Sequence, residues 1–200
     1  MTDESTRVEF HLDRDPRLIS AVRSAVQFQA ARAGLEEAGC ENFAIAAEEV
    51  CKEALTQFTD ADGGLEVTLE TFPEVPDVLR QLQRAGRQTA ILSNGSPKML
   101  SAAVRGANLE GLLDAVLSVE EAGVYKPHPR VYQLAVDRFA VPAHSIAFQS
   151  SNAWDAYAAS AFGMQVVWCN RYGQRSERLP GAPDREVTSL ADLPALVGAA

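Results

Sequence analysis

The strongest constraint on the fold is a strand–helix rhythm that starts after Phe72-Pro73 and runs to the C-terminus. Apolar runs at Thr89-Ala90-Ile91-Leu92, Asp114-Ala115-Val116-Leu117-Ser118-Val119, Ile146-Ala147-Phe148 and Gln165–Cys169 read as strands. Between them, helical periodicity covers Val75–Ala85, a segment opened by Ser96-Pro97, a stretch near Arg130–Phe139 and another near Ala153–Phe162. Gly86 stops the first of these helices, and Ser189 caps a short terminal one. Such alternation predicts an α/β fold, a parallel sheet with helices on both faces. Ligands bind beyond the carboxyl ends of the strands in open sheets of this kind. Ser93-Asn94-Gly95, Lys126-Pro127 and Ser150-Ser151-Asn152-Ala153-Trp154-Asp155 each follow such a strand end, so they can converge on one site.

Before Pro73 the pattern differs. Val8, Phe10 and Leu12 alternate with Glu9 and His11, as in a half-exposed strand. Asp15-Pro16 suits the start of a helix reaching Ala33, with Leu18, Val22, Ala25 and Val26 as its stripe and Gly34 as its stop. A second helix is expected from about Asn42 to Phe58, then a turn at Asp62-Gly63-Gly64 and a strand through Leu65, Val67 and Leu69. Residues 1–71 are therefore expected to form a small α+β segment of two helices and two strands, ahead of an α/β core at 72–200.

Charge and cysteine content narrow the function classes. The chain has a net charge of −9 and a pI near 4.8, with no Lys/Arg run, which argues against nucleic acid and anionic membranes as partners. A small anionic substrate remains compatible with one local cation. Cys40, Cys51 and Cys169 are odd in number and widely spaced, the pattern of free thiols in a reducing compartment rather than of a zinc site or disulfide framework. The N-terminal residues lack a signal-peptide pattern, and no apolar run has the length of a membrane span, so a cytoplasmic protein is expected.

The polar clusters resemble, in order and spacing, the second, third and fourth motifs of the haloacid dehalogenase superfamily. Within it, Leu92-Ser93-Asn94-Gly95, Lys126-Pro127-His128-Pro129 with Tyr132, and Ser150-x-Asn152-x-x-Asp155 look most like those of (S)-2-haloacid dehalogenases. The resemblance runs from about Phe72 to the C-terminus. It implies hydrolytic removal of halide from a small 2-halocarboxylate, by attack of an aspartate on the halogen-bearing carbon and hydrolysis of the ester formed. It assigns Lys126 to offset the negative charges of nucleophile and substrate, and Ser93 and Asn94 to hold the substrate. Asn152 and Asp155 would position the hydrolytic water or the lysine, Ser150 would orient a carboxylate, and Tyr132 would support Lys126. The superfamily's phosphatases usually open the fourth motif with an acidic residue for Mg²⁺. Here Asp155 is the loop's one carboxylate, which implies a reaction without metal or other cofactor.

The superfamily's first motif, a strand ending in the nucleophilic aspartate with a threonine shortly after, has no match. Val8–Leu18 imitates it weakly, with Asp13 or Asp15 as stand-in, but Glu9 and His11 would be costly in a doubly covered strand. Asp15 is better read as a helix cap. The core should then lack its nucleophile strand, and either Val8–Leu12 or Leu65–Thr71 is expected to fill or border the gap. The first seventy or so residues instead resemble the start of a Bergerat-type ATP-binding domain, as in anti-sigma-factor serine kinases, mainly through Ala46–Leu55. That family's phosphate- and Mg²⁺-binding Asn corresponds to Glu53, and its glycine-rich boxes do not follow.

Plainer readings stand beside these. Lys126 could be a solvated lysine, Asn94-Gly95 a turn, and Asp155 a helix cap, while Tyr132 fits core packing as well as support of Lys126. His128, Trp154 and Trp168 read as structural, and Glu48-Glu49 and Glu120-Glu121 as solvated. Three functions remain open: a dehalogenase-like hydrolase with an impaired site, a noncatalytic or chimeric relative that at most binds a small carboxylate, and a regulatory module built on the N-terminus. Homo-oligomerisation is compatible with all three.

Overall fold

The structure, a computed structural model, describes residues 7–12, 19–32, 37, 40, 41, 44, 47, 65–70 and 72–199. Asp13, Asp15, Glu48, Glu49, Cys51 and Glu53 lie outside the described residues, as does most of the helix expected over Asn42–Phe58. The chain divides into two compact units, one of Met1–Pro73 with Lys98–Glu110, the other of Glu74–Pro97 with Gly111–Ala200.

In the first unit, β1 (Arg7–Leu12) runs antiparallel to β2 (Leu65–Glu70), with Arg7 opposite Glu70 and Leu12 opposite Leu65. Helix α1 (Ile19–Arg32) buries Ile19, Val22, Val26 and Ala30, the three- and four-residue spacing of a helical stripe. This pairing corrects the expectation that β1 or β2 completes the parallel sheet. The two strands form a separate two-stranded sheet. The sequence contains the reason: Glu9, His11, Glu66 and Glu70 would be buried without partners in a strand covered on both faces.

The second unit begins with α2 (Val75–Arg84), which leads into β3 (Ala90–Ser93). Helix α3 (Pro97–Gly106) follows, nearly all of it grouped with the first unit. Then come β4 (Ala115–Ser118), α4 (Pro129–Phe139), β5 (Ala147–Ser150), α5 (Ala153–Phe162), β6 (Gln165–Cys169), β7 (Arg185–Val187) and the short α6 (Leu193–Leu196). Strand β3 pairs in parallel with β4, placing Ser93 opposite Ser118. Strand β5 pairs in parallel with β6, and β6 with β7. The parallel strands thus form two sheets, of two and three strands, instead of one continuous sheet of about four.

Period-two alternation along β6 explains the layering. Val166 and Trp168 enter a cluster with Leu117, Tyr132, Phe148 and Ala156, drawn from β4, α4, β5 and α5. Val167, between them, packs instead with Val78 and Leu82 of α2 and Leu193 of α6. Helices therefore cover both faces of this strand. Each fully buried Val or Leu contributes about 1.5–3 kcal/mol of apolar transfer. Helix α4 opens at Pro129 after His128, whose Nδ1 accepts the Arg130 N–H at 3.2 Å, so His128 acts as a cap. Helix α5 ends at Gly163, whose φ of 105° suits glycine.

A latch joins the start of α2 to the segment after β6. Arg171 donates to Glu74 at 2.5 Å and the Ser189 hydroxyl donates to the same carboxylate oxygen at 3.2 Å. Burial pushes the Glu74 carboxyl up, but hydrogen bonds from Arg171 and Ser189 and the arginine's charge outweigh it, leaving its pKa below the usual range. A lowered folded-state pKa contributes stability that is complete above the usual carboxylate range and lost as pH falls through the lowered value. Glu74→Gln is accordingly expected to flatten the acid limb of a stability-versus-pH curve measured by urea titration. An unchanged acid limb would show that the latch carries no such linkage.

Candidate active site

Every residue of the candidate site lies in the second unit, at the carboxyl ends of β3, β4 and β5 or just beyond them. At the end of β3, Ser93 Oγ accepts the Gly95 N–H at 3.1 Å and closes the Ser93-Asn94-Gly95 turn. The turn is tied to β4 by Ser118, which donates to the Gly95 carbonyl at 2.8 Å and accepts the Glu120 N–H at 3.2 Å. Asn94 Oδ1 accepts the Lys126 N–H at 3.1 Å, joining the turn to the loop before α4. At the end of β5, Ser150 Oγ accepts the Asn152 N–H at 3.1 Å. The carbonyl of Ser151 takes the Trp168 indole N–H at 3.3 Å.

These loops meet in a buried ion pair. Lys126 Nζ donates to Asp155 Oδ2 at 2.9 Å, with side-chain exposures of 7% and 5%. Tyr132, fully buried in α4, donates to the other oxygen, Oδ1, at 2.8 Å. Burial, and secondarily the charge and hydrogen bond of Asp155, push the Tyr132 phenol far above its ordinary pKa, so it remains a donor. Both acceptor positions of the carboxylate are thereby met by strong, charge-assisted hydrogen bonds. The ammonium also stands 4.9 Å from the centroid of the Phe148 ring. The loop's only carboxylate is committed on both oxygens, an arrangement unlike a hard-cation site, which needs several free carboxylate or carbonyl oxygens.

The structure thus links Asn94, Lys126, Asp155 and Tyr132 in one chain of hydrogen bonds. Ser93, Ser150 and Asn152 stand at the same strand ends, but their recorded bonds are local to their own turns. Tyr132 reaches Lys126 through the carboxylate of Asp155, which is held by side chains from the loop before α4 and from α4 itself. Ser150 Oγ takes the Asn152 amide within its own turn. Sequence reasoning missed Ser118 and the indole of Trp168 as props of the loops. Ser118 had a visible signal, since it ends its strand as Ser93 does.

The class the fold defines is a parallel α/β core whose candidate site, centred on a buried lysine–aspartate pair, lies beyond the carboxyl ends of its strands. The chain belongs to the haloacid dehalogenase-like hydrolases, whose family model matches residues 8–163. It is 47% identical over 138 residues to the (S)-2-haloacid dehalogenase of Pseudomonas sp. (strain YL), covering 69% of this chain and 59% of that protein. It is 45% identical over 116 residues to the haloacetate dehalogenase H-2 of Moraxella sp. (strain B), covering 58% and 52%. The solved L-2-haloacid dehalogenase of Xanthobacter autotrophicus superposes with a TM-score of 0.61 at 28% identity, over 90% of this chain and 85% of that one. Against these two sequence relatives, the match spans only between half and three-fifths of their length. Among the described residues, no helix is long and apolar enough to cross a membrane.

Proposed function

We propose that this chain is a dehalogenase-like hydrolase core that binds small 2-halocarboxylates at the strand ends of its second unit and turns them over poorly. The observation that carries this reading is the buried Lys126–Asp155–Tyr132 triad bonded through Lys126 to Asn94. Asp155 holds the ammonium in place, and Phe148 backs it. Lys126 offers the positive charge that a halocarboxylate needs, while Ser93 and the amide of Asn94 supply donors for its oxygens. Release of halide would require a carboxylate to attack the halogen-bearing carbon, displacing the halide and forming an ester, which water then cleaves. The second unit's strand ends present Asp155 as their bonded carboxylate, and it is already engaged. Binding without efficient turnover follows. A cytoplasmic setting accords with the odd number and wide spacing of Cys40, Cys51 and Cys169.

The test is calorimetric binding of (S)-2-chloropropionate together with halide release, on wild type, Asn94→Ala and Lys126→Ala proteins shown to be folded. We expect saturable binding by wild type, weakened at least about tenfold in both variants, one lost charge-assisted hydrogen bond being worth roughly that. Halide release should lie at least about 10⁴-fold below that of an enzyme with an intact nucleophile. Binding that is unchanged in both variants would refute the assignment of the site. Fast halide release would refute the impairment and send the search to Asp13 and Asp15.

A further inference from the structure

We propose that the second unit is a strand acceptor: the edges of β3 and β5 take up one extended apolar segment of another polypeptide, parallel to both strands. Strand β3 is paired with β4 and β5 with β6, and among the described residues neither has a second strand partner. These edges belong to a single body. Leu92 and Leu117 pack in the same cluster as Phe148, Val166 and Trp168, around Tyr132. Lys126, bonded to Asn94 just past β3 and to Asp155 just past β5, ties together the ends of those two strands.

Burial points the same way. In β6, which has strands on both sides, Val166 through Cys169 are all buried. In β3 no residue is fully buried, and in β5 only Phe148 is. Strands at the middle of a doubly covered sheet should show the opposite order. Unpaired edge N–H and C=O groups are satisfied most completely by another strand, the basis of strand addition in peptide recognition.

The surroundings define the occupant. Helices line both faces of the neighbouring β6, so the entering segment should be apolar at successive positions rather than alternating. A second copy's β1 or β2 would fit poorly, because each alternates apolar residues with charged or polar ones, Glu9 and His11 in β1 and Glu66, Thr68 and Glu70 in β2. With a net charge of −9 on this chain, basic residues flanking the apolar run would favour association.

The test uses the full chain and a synthetic peptide of six alternating valines and isoleucines flanked by two lysines at each end, read by NMR-detected amide hydrogen exchange. A control peptide carries N-methyl groups on alternate amides, which removes its capacity to pair. We expect amides of Ala90–Ser93 and Ala147–Ser150 that point away from β4 and β6 to exchange quickly in the free protein. They should slow by about tenfold or more with the peptide and stay unchanged with the control. The outer edge of β7 should not respond. Four results would overturn the proposal: edge amides already protected in the free protein, slowing that depends on protein concentration alone, equal slowing at β7, or no slowing. The readout is independent of halide release and of chloropropionate binding, so it stands or falls apart from the dehalogenase reading.

Discussion

Asp155→Ala should cost the folded protein about 3–5 kcal/mol, because it strands the ammonium of Lys126 in a buried position without its counter-charge. The attraction between the two charges is not itself the source of that cost. Two charges removed from water lose solvation comparable to what their pairing returns, so the intact pair is close to neutral for stability. The penalty arises when one partner goes and the other stays. Tyr132 adds to it, since its hydroxyl would lose its acceptor inside the core. Replacing both charges, Lys126→Met with Asp155→Leu, should recover most of the loss and return stability to within about 2 kcal/mol of wild type. Urea denaturation of the two single variants and the double gives the coupling directly. A cost under about 1 kcal/mol for Asp155→Ala would show that the pair is wetter than its 7% and 5% exposures indicate and that Lys126 keeps its solvation without a counter-charge. A stable double variant that no longer binds chloropropionate would mean that the pair is kept for the site and contributes little to the fold.

Much of this arrangement was readable before any coordinates. Val166 to Cys169 form an unbroken apolar run because β6 is covered on both faces, and that run is what marks a parallel-sheet strand. Glycine and serine at element ends were equally plain, as at Gly86 and Ser189, because those positions need a left-handed φ or an N-cap oxygen. Strand β7 was not visible: Arg185-Glu186-Val187 is short and mostly exposed, and its place is set by its backbone bonds to β6 rather than by any pattern of its own. Pairing was the other blind spot. Residues far apart in sequence decide which strands join, and a gap expected beside Ser93 could not reveal that β1 and β2 would pair with each other. Tyr132 shows why single-residue readings stay ambiguous. Its ring packs against Phe148 and Phe162 while its hydroxyl bonds Asp155, so core packing and support of the site are both true of it. Trp168 is similar, a core residue whose one polar atom holds the Ser151 carbonyl.

Phe148 is where the core and the site share one side chain, so Phe148→Ala should be as damaging as the loss of Asp155, at about 3–5 kcal/mol. The ring is buried in the cluster shared by β4, β5, β6, α4 and α5, and truncating it leaves a cavity that five elements cannot close together. It meets the edge of Tyr132 at a centroid distance of 5.8 Å and an interplanar angle of 85°, a favourable aromatic geometry. The Lys126 ammonium lies 4.9 Å from the same centroid. Phe148→Leu separates these contributions. Leucine restores most of the volume but has no aromatic face, so it should recover more than half of the stability and still lose the attraction for the ammonium, about 0.5–2 kcal/mol. The expected signature is a Leu variant that unfolds only modestly earlier in urea while binding chloropropionate more weakly, since the ammonium has lost one of the two groups that hold it. Equal stability losses for Ala and Leu would instead place the weight on the ring's electrostatics over its volume. Unchanged chloropropionate binding in the Leu variant would show that Asp155 alone positions Lys126.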